Sequence, residues 1–145
     1  MTAIQEPKMG RFSVDIELAN NDDLVRAKVG VISTDQIRRT RIRGVIDTGA
    51  TRLVIPESVA KQLGLESSAN ATVRYADGRT AERAVAKGIH LAYGGRDSVF
   101  NAIVEPARES VLIGAIVLED LDFVVDCANQ KLVPRDPNRI VSEIE

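Results

Sequence analysis

The chain has 145 residues, 44% hydrophobic and 28% charged, enough for one ordinary domain with a buried core and too apolar for a disordered polymer. Its formal charge of −2 gives no electrostatic case for a nucleic-acid partner, and no apolar stretch approaches the ~18 residues of a spanning helix. One cysteine, Cys127, excludes an internal disulfide, and His90 as the lone histidine leaves no credible zinc cluster.

Residues 1–10 read as a polar N-terminal segment; the run Met1 to Pro7 lacks the basic and apolar regions of a signal peptide, so the expected address is the cytoplasm. Phe12, Val14, Ile16 and Leu18 alternate with polar residues, Asn20 to Asp23 supply turn chemistry, and Val25, Ala27, Val29 and Val31 alternate again, which predicts a hairpin. Arg39 to Asp47 predicts the next strand, with Arg38, Arg39, Arg41 and Arg43 on a solvated face. Leu53 to Ile55 resumes extended structure. Pro56 to Gly64 predicts a short helix, with proline in its first turn, Glu57 at the positive end of its dipole and glycine as terminator.

Further strands are predicted over Ala71–Tyr75, Thr80–Tyr93, Ser98–Val104, Val111–Ile113, Asp122–Asp126 and Lys131–Val133. Within the second of these, Ile89, Leu91 and Tyr93 share one face and His90 takes the other, the pattern of a plain strand histidine. Cys127 follows a strand and is expected to be an inert, partly buried thiol. Many short strands with one or two short helices predict an all-β, closed barrel-like domain over 11–134, followed by a polar C-terminal tail over 135–145.

One run carries chemistry. In Gly44-Val45-Ile46-Asp47-Thr48-Gly49-Ala50-Thr51, β-branched residues suited to a buried strand lead an acid into a tight turn, where Gly49 permits either a close backbone approach or a left-handed turn. Asp47-Thr48-Gly49-Ala50 resembles the signature of the retropepsin-like aspartic proteases, whose bacterial and cellular members it is nearer to than the retroviral ones. By itself a short polar turn closing a strand would have the same composition. Two later features keep the family's order: Asp77-Gly78 between extended flanks is a hairpin signal placed where those enzymes carry a flap, and Val111-Leu112-Ile113-Gly114 resembles their second signature, with glycine where two backbones nearly touch. The resemblance covers roughly residues 11 to 134.

Aspartic proteolysis needs two carboxylates sharing one proton, one to activate water and one to donate to the scissile carbonyl. The chain holds a single Asp-Thr-Gly and no Asp-Ser-Gly. The resemblance therefore implies a homodimer with one Asp47 from each chain on a twofold axis, and inert protomers. It further implies that Asp47, Thr48 and Gly49 form the catalytic loop, Ala50 and Thr51 the cleft floor, and Tyr75, Ala76, Asp77 and Gly78 the flap over an extended peptide, with no metal or cofactor. Retroviral members carry an acid at the position of Thr51 and an arginine at that of Ala115, joined as an ion pair; both are absent here, so no charge is left uncompensated. Ala50 lacks the hydroxyl that many pepsins place there to favour the ionised acid, which points to activity at weakly acidic to neutral pH. Arg52, Arg74 and Arg79 near the expected cleft suggest a mild preference for acidic flanking residues. Three functions fit: an active dimeric endopeptidase, a dimerisation or peptide-binding module on the same fold, and a β-barrel domain with an accidental Asp-Thr-Gly.

Overall fold

In the computed structural model, residues 11–145 are described, and the polar segment expected at 1–10 lies outside them. The strands are β1 (Arg11–Asn20), β2 (Arg39–Asp47), β3 (Leu53–Pro56), β4 (Ser67–Arg74), β5 (Thr80–Tyr93), β6 (Arg96–Glu105), β7 (Val111–Ile113), β8 (Phe123–Asp126) and β9 (Lys131–Pro134). Three short helices interrupt them: α1 (Asn21–Lys28), α2 (Glu57–Gln62) and α3 (Ala115–Leu121).

Seven strands form one sheet in the order β1-β2-β7-β3-β6-β5-β4, and an added β1–β5 pairing closes the first six into a ring. Only β4 stands outside that ring, bonded to β5 as a hairpin. Closure removes the free edges that an open sheet would expose. The strand pattern read from the sequence fills the interior: Ile16, Leu18, Ile46, Leu53, Ile55, Ile89, Leu91, Val111 and Ile113 are all at most 2% exposed. Each contributes on the order of 1.5–3 kcal/mol by leaving water. The all-β closed-barrel expectation is correct.

The segment after β1 is not a strand. Asn20 caps a helix instead: its Oδ1 accepts from the Asp23 amide at 3.1 Å, Asp22 and Asp23 occupy the first turn, and Arg26 and Lys28 the last. Those are helix-start and helix-end charges, and they outweigh an alternation of valines that are in fact exposed, Val25 by 52%, Val29 by 68% and Val31 by 69%. As a result β1 pairs with β2, Arg11 opposite Asp47 and Ile16 opposite Ile42. The 3₁₀ turn Thr34–Gln36 connects α1 to β2.

A buried polar knot holds this corner. Asp23, 3% exposed, accepts from the Arg38 backbone amide at 3.0 Å and from its guanidinium at 2.8 and 3.0 Å. Arg38 is thus a structural partner of Asp23 while remaining exposed, as Arg39, Arg41 and Arg43 are. The Arg38 guanidinium keeps the Asp23 carboxyl well down, at about 2. Asn20 also donates from Nδ2 to the Leu63 carbonyl at 2.8 Å, tying α1 to the end of α2. Gly64 ends α2 at φ +62, and a Cβ there would stand 1.8 Å from the Arg38 guanidinium.

Beyond the barrel, β8 and β9 make a separate antiparallel pair. Residues 135–145 are irregular and mostly exposed yet bonded to the body: Arg96 donates to the carbonyls of Leu121, Asp122, Asp136 and Arg139, and Asp122 accepts from the Val141 amide at 3.0 Å. Cys127 is exposed, not partly buried, because it stands in the open β8–β9 turn. His90 faces away from the core as expected and pairs with Asp97 at 2.7 Å.

Candidate active site

Buried Ile46 leads β2 to Asp47, the last residue of the strand, after which the chain turns through Thr48 and Gly49 with the Ala50 amide bonded to the Asp47 carbonyl at 3.1 Å. The Asp47 side chain is 16% exposed. Its Oδ1 accepts from the Gly49 amide at 3.0 Å, so the turn aims a backbone dipole at the carboxylate. Gly49 does not use a left-handed conformation. A Cβ there would sit 3.3 Å from Oδ1, a tight contact that would press on the carboxylate.

A second layer fixes the turn from behind. β7 runs parallel to β2 and antiparallel to β3, so it passes between the two strands that the loop connects. Gly114 follows it, and a Cβ at that position would lie 2.6 Å from the Arg52 carbonyl oxygen, 2.7 Å from the Thr51 carbonyl carbon and 2.8 Å from the Ala50 oxygen. The backbones touch there as the second motif required. The first amides of α3 then donate into the loop, Ala115 to Ala50 at 2.8 Å and Ile116 to Thr51 at 2.9 Å. Two main-chain bonds therefore fasten α3 to the loop beside Thr51 and Ala115, each of which bonds to the other's neighbour.

Arg11 is the residue that the sequence did not reveal. Its Nε and Nη2 donate to Asp47 Oδ2 at 3.2 and 2.5 Å, across the β1–β2 register. A guanidinium in that position favours the ionised carboxylate, the opposite sense to the missing hydroxyl at Ala50. The signal was positional: Arg11 lies opposite Asp47 only once β1 is paired with β2 in place of the expected hairpin partner.

The remaining expected residues form a distinct group at the β4–β5 turn. Tyr75 donates its amide to the Arg79 carbonyl at 2.8 Å and accepts from Gly78 at 2.9 Å, with Gly78 at φ +87, so Ala76 and Asp77 are the exposed tip. The described hydrogen bonds carry this tip to Glu105 and those of the Asp47 loop to Arg11 and α3. Of the arginines read near the cleft, Arg79 is engaged with Asp77 at 2.7 Å, while Arg52 and Arg74 are exposed.

Comparison with known proteins agrees with this geometry. Residues 33–120 match the family model described as gag-polyprotein putative aspartyl protease, a span that takes in the Asp47 loop, the hairpin and Gly114. No curated protein matches. Among solved structures, EIAV protease complexed with the inhibitor HBY-793 superposes with a TM-score of 0.53 at 16% identity, over 81% of this chain and 94% of that one, a likeness of fold. With more than half of its length matched, the chain belongs to the retroviral-type, retropepsin-like aspartyl protease family.

Proposed function

We propose that the protein is an aspartic endopeptidase that works as a homodimer, hydrolysing peptide bonds with water activated between two Asp47 carboxylates. The observation that carries this reading is the doubly supported loop: Asp47 at a strand end, its Oδ1 on the Gly49 amide, and the turn fastened by the Ala115 and Ile116 amides. Such support is what a preorganised general acid/base requires, and one acid per chain is what makes a second copy necessary.

In the proposed dimer one Asp47, ionised, takes a proton from the attacking water. Its mate, protonated, donates to the carbonyl oxygen, and the proton belongs to the pair. Thr48 would bond across to the other loop, Gly49 would admit the substrate main chain, and Ala50 and Thr51 would form the floor. An extended peptide would add its backbone to strands from floor and hairpin, with Tyr75, Ala76, Asp77 and Gly78 above it. The protease domain would span 11–134, and a cytoplasmic address and independence from nucleic acid, membrane and cofactor belong to the same proposal.

Arg11 favours a second reading, a retropepsin-like dimerisation or peptide-binding module, because a guanidinium on Oδ2 opposes the protonated state that one acid of the pair must reach. Turnover of a denatured protein substrate by the wild type and by Asp47→Asn decides between them. Wild-type cleavage that the variant lacks supports the endopeptidase; equal rates, or none from a demonstrated dimer, support the module.

A further inference from the structure

We propose that Glu105 is a positioning residue for the β4–β5 hairpin, a latch whose carboxylate holds the hairpin tip through the Tyr75 hydroxyl. The inference rests on the reading of that hairpin as a flap, and concerns how its position is held.

Tyr75 belongs to the tip. Its backbone makes both hydrogen bonds that close the turn, and the Arg79 guanidinium, itself bonded to Asp77, lies 5.5 Å from its ring centroid. Tyr75, Asp77 and Arg79 thus form one small bonded unit around the aromatic ring. The ring does not end in solvent: its hydroxyl donates to Glu105 Oε2 at 2.8 Å. Glu105 is the last residue of β6, paired with Pro56 of β3, and so belongs to the closed barrel.

The acceptor is held in place from its other side. Its other oxygen, Oε1, accepts from Arg83 Nε at 2.6 Å, and the side chains are 13% exposed for Glu105 and 29% for Arg83. The Glu105 carboxylate in turn raises the Arg83 guanidinium further above its ordinary value. A sheltered carboxylate with a guanidinium on one oxygen and a phenol on the other makes a charge-assisted bond to each. Arg83 lies on β5 opposite Ala71 of β4, and Tyr75 directly follows β4, so the trio ties the hairpin to β6. Among the described residues, the strand pairing of β4 is with β5. For a flap, the latch sets the fraction of time the cleft is covered.

Amide hydrogen exchange on the intact chain tests this without reference to turnover. Tyr75→Phe keeps the ring and its contact with Arg79 and removes only the hydroxyl; Glu105→Gln removes the charge. Exchange at the turn amides of Tyr75 and Gly78 should quicken about tenfold in Tyr75→Phe and at least as much in Glu105→Gln, with core amides such as Ile16 and Leu91 unchanged. Unaltered turn exchange in Tyr75→Phe would overturn the latch, and so would faster exchange spread evenly through the barrel, which would mark a general structural role. If the wild type cleaves peptides, both variants should raise KM more than they lower kcat. Because exchange reads the hairpin directly, loss of the latch and absence of peptidase activity give separate results.

Discussion

At the scale of single residues, the candidate chemistry is a contest over Asp47. Replacement by asparagine keeps the size and the Gly49 contact yet removes the ionisable group, so turnover should fall by at least ~10³-fold while circular dichroism stays that of the wild type. Arg11 is the cation bonded to that acid, and its removal tests whether it belongs to the proposed site. Because its guanidinium favours the ionised form, Arg11→Gln should move the acidic limb of kcat/KM toward higher pH, and a limb that stays put or moves lower would remove Arg11 from the site. Asp23 gives a stability test with the sign fixed by its environment: the folded carboxyl takes its proton at about 2 and the unfolded one near 3.8. Its contribution of about 2 kcal/mol is therefore full above pH ~4 and lost as pH falls toward 2. Urea midpoints should show that loss for the wild type and little of it for Asp23→Asn. Asp47 was legible from its immediate neighbours, because motif and turn are local; Arg11 and Arg38 were not, since each meets its carboxylate across 36 and 15 residues of intervening chain.

Among the elements, what the sequence made plain was whatever one local rule decides. β5 and β7 have their expected boundaries, Thr80–Tyr93 and Val111–Ile113, because alternation or a short apolar run bounded by glycine admits little else. α2 starts one residue later than expected, with Pro56 as its cap and not in its first turn, and has Gly64 beyond its end. The failure at 21–31 came from two local rules in conflict. Apolar residues at every second position suggested a strand, and the Asn20 cap with its charge order imposed a helix that leaves Val25 within it, and Val29 and Val31 after it, exposed. Strand pairing was beyond reach for a different reason: β1 meets both β2 and β5, a closure set by the whole barrel. The contact between Gly114 and the Asp47 loop, by contrast, followed from the motif alone. It can be tested by Gly114→Ala, whose methyl would meet three backbone atoms within 2.8 Å. The loop would have to shift, at a cost on the order of 1–3 kcal/mol in stability with a disproportionate loss of any turnover.

For the molecule as a whole, the barrel explains how a loop that carries one acid is held, and in the proposed function that acid is half of a site. A closed ring of six strands, with β7 threaded between β2 and β3, leaves the Asp47 turn supported from behind and exposed in front. Thr48 and Gly49 are the exposed residues of that front. If two such fronts meet, activity per chain should rise with protein concentration through the range where sedimentation shows monomers becoming dimers, and level off above it. The most direct measurement is the distance between the two Asp47 carboxyl groups in a crystal structure of the associated protein. Separation within hydrogen-bond reach, about 3 Å, across a twofold axis is the expected result. Carboxyls far apart or turned outward, or a protein that stays monomeric while it cleaves peptides, would contradict it.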